Sequence, residues 1–294
     1  MQEQHPKHKP KLALFHTPAF VVLTAVTMFP LLHNIYMSLH GFRLSVPGSE
    51  KLFVGLQNYA RIFTDVEFWG SLSVTFRFVI GVTVVQLILG FLVAITLNSI
   101  TRGKKFITAL VMIPMMVAPI VVGLMFSFVL NPQFGLYSYL VQALNLPLPL
   151  APLSSSKAAH IVMMITDIWQ WTPFIVLMIL AALQSVPVEP IEAAMIDGAS
   201  EIQTLRYVIL PLIRPVIVVA FVLRAIEAFK EFDKPYILTG GGPGAATEVI
   251  DLFTYREAFV SFNFSYAAAL SIVLFIILLL AGIGYWRLVM EVGE

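Results

Sequence analysis

The stretch PIEAAMIDGASEIQTLRYVILP, Pro190 to Pro211, decides how this chain is read. Pro187 and Pro190 stop a preceding helix, and Pro190 suits the first turn of a new one, where a missing N–H leaves nothing unpaired. Glu192 then lies near the positive end of that helix, followed by the small residues Ala193 and Ala194. Asp197 and Gly198 signal its end, because glycine accepts the positive φ of a helix C-terminus. Ser200 with Gln203 makes a capping-box pattern that opens a second helix. Val208, Leu210, Leu212 and Ile213 carry it into an apolar run, kinked by Pro211 and Pro215. The expected product is a short helical element bent at Gly198, spanning about 184–214 and lying along a membrane surface. From these residues alone, an ordinary connecting loop stays open beside a docking element.

Outward from this hairpin the chain is too apolar to be soluble. Hydrophobic residues fill 59% of 294 positions and charged ones only 12%, against about 25% in ordinary soluble domains. The surplus apolar mass must face lipid. A net charge of +1 provides no basic face for nucleic acid. The lack of cysteine excludes disulfides, thiolate nucleophiles and cysteine-based metal sites. Lys7, Lys9 and Lys11 ahead of an apolar run imitate a signal peptide. The run from Leu12 to Leu39 is too long for a signal core and has no small-residue cleavage site, so a retained first span is expected after a cytoplasmic tail at 1–11.

A helix needs about 20 apolar residues to cross about 30 Å of hydrocarbon. Leu12–Leu39, Phe78–Ile100, Phe106–Leu130, Ala158–Val186 and Ser265–Trp286 meet this, and Leu210–Ile237 is expected as a sixth span despite its charges. The chain is therefore read as an all-α membrane protein with six transmembrane helices in one domain, 12–290. Arg102, Lys104 and Lys105 between two spans, with the lysine-rich start, put both termini and the hairpin in the cytoplasm. The longer segments Gly41–Leu72 and Asn131–Lys157 then face outward. Phe53, Tyr59, Phe63, Phe68 and Trp69 in the first suit short helices or an aromatic belt at headgroup level.

Ionisable residues within a membrane usually face a bundle interior or a water-filled path. Arg224, Glu227 and Glu231 fall at i, i+3 and i+7, on one helix face, and Arg224 can pair with Glu227. The six charges from Arg224 to Lys234 cancel, which suits a neutral, hydroxyl-rich ligand; a salt-bridged helix end without a ligand remains the alternative. In the fourth span, Asp167, Trp169, Gln170, Trp171, Thr172 and Phe174 interrupt an apolar helix. An aromatic plane beside a carboxylate and an amide fits the C–H faces and hydroxyl edges of a sugar, although either tryptophan could equally be packing or belt. Met112, Met115 and Met116 with Pro114 and Pro119 suggest a flexible gate in the third span.

Glu192-Ala193-Ala194, Gly198, then nine residues and Val208-Ile209-Leu210-Pro211, resembles the E-A-A-x-x-x-G-x(9)-I-x-L-P signature of binding-protein-dependent ABC importer permeases, with Val208 in place of Ile. The resemblance implies the type I importer fold over Phe15–Trp286. It also implies a coupling role for Glu192, Ala193, Ala194, Asp197, Gly198 and Ala199 in a groove of a separate ATPase. Leu238-Thr239 with Gly241-Gly242-Pro243, and Trp169 with Pro173-Phe174, are similar to the carbohydrate-uptake branch that holds the maltose and glycerol-3-phosphate permeases. By that likeness Asp167, Gln170, Trp171, Phe174, Arg224, Glu227, Ala228 and Glu231 line a sugar path, and the outer loop 239–247 contacts an extracytoplasmic solute-binding protein. The implied partners are a second permease subunit, an ATPase dimer and that binding protein. Pro18, Pro30 and Ser38 are similar to the first permease of such pairs, implying a heterodimer. No cofactor is expected on this chain: it lacks a G-x-x-x-x-G-K-[ST] phosphate loop, so ATP and Mg belong to the partner, and catalytic and metal residues are expected to be none.

An ion-coupled secondary transporter using Asp167 or Glu227 stays in competition. It leaves the hairpin unexplained and lacks the repeated half such carriers show. An intramembrane enzyme would need an H-E-x-x-H, Ser/His or carboxylate-dyad pattern that does not occur.

Overall fold

The computed structural model describes residues 10–49 and 52–292, and the side chains of 17–49 and 52–284. Most of the tail expected at 1–11, with His5, His8, Lys7 and Lys9, lies outside the described residues, as does Lys51. In chain order the helices are α1 (Pro10–Ser38), α2 (Gln57–Thr64), α3 (Val66–Ser99), α4 (Lys104–Met112), α5 (Pro119–Val129), α6 (Leu136–Ala143), α7 (Ser156–Ser185), α8 (Val188–Ile196), α9 (Glu201–Thr204), α10 (Leu210–Phe229), α11 (Asp233–Leu238), α12 (Ile250–Phe259) and α13 (Phe264–Val292). The fold is all-α, as the long apolar runs lead one to expect. Among the described residues, five helices are long and apolar enough to cross a bilayer: α1, α3, α7, the stretch ending in α10, and α13. A sixth span exists if α4 and α5 count as one.

That pair is bent by 90°. A 3₁₀ turn at Ile113–Met116 ends the first half, and Val117 is extended at ψ 134°. Pro114 and Pro119 explain the break. Each removes an amide donor, and Pro119 pushes the residue before it out of helical geometry. Ala118 accordingly sits at ψ 138°.

The expected sixth span, Leu210–Ile237, ends earlier than expected. The helix stops at Phe229, and Asp233–Leu238 forms the separate α11. The Glu231 carboxylate accepts the backbone N–H of Lys234 at 3.1 Å, capping α11 from outside. Upstream, Leu205–Ile209 is a π-helical turn. The ring of Pro211 would meet the carbonyl of Tyr207 in an α-helix, and widening the turn relieves that clash.

The chain forms two compact units. One holds the described residues up to Asp65 with Thr254–Ile277. Here the Phe42 N–H donates to Ser265 Oγ at 2.8 Å, the Tyr266 hydroxyl donates to Asp65 at 2.5 Å, and the Arg61 guanidinium covers the Tyr266 ring at 3.8 Å. The other holds Val66–Phe253 with the described residues from Leu278. Its core runs between α3, α7 and α10 through Ala94, Leu97, Ile175, Val176, Ile179, Leu183, Ile213 and Ala220. Helices in lipid gain little from hydrophobicity and pack through close contact of small residues. Gly90 permits that approach: a Cβ there would stand 2.6 Å from Ile175 Cγ2.

The hairpin follows its local signals. Gly198 takes φ +80°, and the Ser200 hydroxyl accepts the Gln203 backbone N–H while the side-chain Oε1 of Gln203 accepts the Ser200 N–H. Its apolar residues are not buried against the chain: Ile196 is 86% and Ile202 77% exposed.

Candidate functional site

A cavity of about 160 Å³ opens in the second unit, lined by Trp171 of α7, Pro119 of α5, and Arg224, Glu227, Lys230, Glu231, Phe232 and Asp233 from the end of α10 and the turn after it. The helical spacing explains why Arg224 and Glu227 meet on one wall, which Glu231 joins from the turn beyond Phe229.

Behind the wall lies a buried polar network. Asp167 on α7 is fully enclosed and forms ion pairs with Arg224 and with Lys234, the latter at 2.9 Å. Lys234 also reaches Glu231 at 2.6 Å. Gln86, alone among apolar residues of α3, donates to both the backbone carbonyl and the carboxylate of Asp167 at 3.0 Å, and accepts from Arg224 Nε at 2.9 Å. Two carboxylates and two cations therefore close on one another inside a low-dielectric interior, where a charge lacking a partner would be costly. The guanidinium of Arg224 also sits 5.5 Å from the Trp171 ring, within cation–π range.

The residues read from sequence divide into three groups. Trp171, Arg224, Glu227 and Glu231 line the cavity. Asp167, Gln170 and Ala228 are buried behind it, each with no exposed surface. Phe174 packs against the core between α3, α7 and α10. The expected Arg224–Glu227 pair does not form. Arg224 turns inward to Asp167, and Glu227 pairs at 2.8 Å with Lys230 on the exposed side. Inward pairing wins because a buried guanidinium must be neutralised, whereas a solvated pair contributes little. Near the cavity, burial pushes the Asp251 carboxyl up to about 6 from the ordinary 3.8, with Lys230 opposing the rise.

Glu192, Ala193, Ala194, Asp197, Gly198 and Ala199 stand on the hairpin. A second cavity, of about 290 Å³, is lined by Asp197, Gly198, Ala199, Gln203, Tyr207 and Val208. It sits at the opposite end of α10, whose 20 residues cover about 30 Å.

Residues 86–286, which include both ends of that helix, match the model of the binding-protein-dependent transport system inner membrane component. The chain belongs to this family. It is thus a multi-pass transport permease of the inner membrane. The probable ABC transporter permease protein y4oQ of Sinorhizobium fredii is 36% identical over 277 residues, 93% of this chain and 88% of its own length. The trehalose/maltose transport system permease protein MalF of Thermococcus litoralis is 35% identical over 270 residues, 92% of this permease and 90% of that one. A chain in the crystal structure of a bacterial ABC transporter involved in the import of the acidic polysaccharide alginate shares the fold, with a TM-score of 0.79 at 19% identity, covering 94% and 95% of the two chains.

Sequence reasoning missed Gln86, Lys234 and Val117 of this permease. Gln86 had a signal, a lone amide in the apolar run of α3. Lys234 was hidden in a run of charges, and a backbone carbonyl such as that of Val117 leaves no signal in a side-chain pattern.

Proposed function

We propose that this permease is half of the translocation pathway of an ATP-driven importer for a neutral sugar, oligosaccharide or polyol. The observation that carries the reading is the cavity beside Trp171. It offers an indole face and a hydrogen-bonding wall, while each cation lining it has a carboxylate at ion-pair distance. An aromatic plane with polar edges suits a ring of hydroxyls. A wall whose cations are already engaged has little to offer a uronate or a sugar phosphate. The relative named for trehalose and maltose supports a sugar as solute.

At about 160 Å³ the cavity is smaller than the roughly 300 Å³ at which ligand sites usually begin. A second permease subunit facing it would complete the site. The hairpin around Gly198, with Glu192, Ala193, Ala194, Asp197 and Ala199, docks in this reading on a separate ATPase, which binds the ATP and Mg. Both termini then lie in the cytoplasm, and the glycine-rich loop 239–247 meets an extracytoplasmic solute-binding protein on the other side.

The experiment is labelled-solute uptake by proteoliposomes holding the permease pair and its ATPase, with the binding protein added. Neutral disaccharides and polyols are expected to compete with the labelled solute, and uronates or sugar phosphates to leave uptake unchanged. Preferential competition by anionic sugars would overturn the substrate class.

A further inference from the structure

Gln170 has a partner that no substrate role requires. It is fully buried, and its Nε2 donates at 2.9 Å to the backbone carbonyl of Val117, the first residue of the break between α4 and α5. Val117 and Ala118 both leave α-helical geometry where the span bends by 90°, and the Val117 carbonyl falls outside the helical ladders. The Ala118 carbonyl is taken by the N–H groups of Val121 and Val122 in the first turn of α5. The Val117 carbonyl is taken by Gln170. Backbone at membrane depth tolerates such a break only where protein groups satisfy it.

The next residue, Pro119, lines the cavity. Gln170 also stands one turn beyond Asp167, on the same side of α7. One helix face therefore fixes α10 and α11 through Asp167 and the broken span through Gln170. Among the described residues the Gln170 Oε1 has no hydrogen-bond partner, so the amide is engaged through its donor side alone.

We propose that Gln170 is the positioning residue that holds the third span broken at Val117–Ala118 and thereby sets where Pro119 stands in the pathway wall. The amide acts on the wall and not on the solute. Substituting it therefore moves the break before it moves solute affinity. This holds whichever solute the pathway carries.

The chain has no cysteine, so Ala118→Cys introduces its sole thiol. In membrane vesicles carrying the permease with its transport partners, the rate at which a maleimide labels that thiol reports the break directly. Adding Gln170→Met, similar in length but without a donor, should change the labelling rate about fivefold or more, the factor that loss of about 1 kcal/mol produces. It should also lower maximal uptake while leaving the half-saturating concentration of solute-loaded binding protein in place. An unchanged labelling rate, or a change confined to the half-saturating concentration, would overturn the proposal. Should Gln170→Met fail to accumulate, Gln170→Asn keeps the amide but withdraws it by one methylene; the same acceleration or slowing is expected, and an unaltered rate in that variant overturns the proposal equally.

Discussion

Asp167 has to satisfy two cations at once, and it does so from a position with no exposed surface. Its carboxylate is the centre of a four-charge network whose other members, Arg224, Glu231 and Lys234, all come from the end of α10, the turn after it and the start of α11. Asp167→Asn keeps the shape and some hydrogen bonds but leaves Arg224 and Lys234 with Glu231 as the one carboxylate of the buried set. Breaking a buried pair in this way costs about 3–5 kcal/mol. Thermal unfolding of the purified variant, followed by tryptophan fluorescence, should show a clear drop in Tm; an unchanged Tm would mean that the carboxylate is not structurally paired. Asp167 and Arg224 were legible from sequence because a charge inside an apolar run is conspicuous. Their pairing was not legible, since the choice between Glu227 and Asp167 depends on which helices pack. Gln86 adds a further bond to Arg224 from α3, more than a hundred residues upstream in sequence.

The helical elements were most readable where short-range chemistry sets them. The end of α8 at Gly198 and the start of α9 at Ser200 need only neighbours within a few residues, and both appear as the pattern leads one to expect. The end of α10 was less readable, because the cap of α11 is a Glu231 carboxylate that is itself committed to Lys234. The break in the third span was legible as two prolines, Pro114 and Pro119, but its 90° angle was not, since a partner on α7 secures it. Around Gly198 a Cβ would meet no atom of the chain within 4 Å, so this element itself leaves room for a side chain. Aspartate also tolerates a left-handed backbone better than most residues. Gly198→Asp should therefore reach the membrane at parental levels and yet lose transport, because the added carboxylate intrudes on a partner's surface. Immunoblotting of membranes beside an uptake assay checks this, and parental uptake by the variant would remove the hairpin from the coupling role.

At the scale of the molecule, α10 joins two working ends about 30 Å apart. One end presents exposed apolar residues, Ile196 and Ile202 among them, around the glycine turn. The other presents the cavity with its neutralised charges. In the proposed reading, α10 is the physical link by which an event at the hairpin reshapes the solute path. Family membership settles that this is a transport permease, and the ionic network gives no hint of an ion-coupling site, since its carboxylates are occupied by cations of the same chain. The most direct test is the energy source for uptake in proteoliposomes. Solute accumulation should occur with the permease pair, the separate ATPase, internal ATP and the external binding protein, should vanish when the ATPase is omitted, and should survive collapse of the proton and sodium gradients. Accumulation driven by an ion gradient with the ATPase absent would contradict the account.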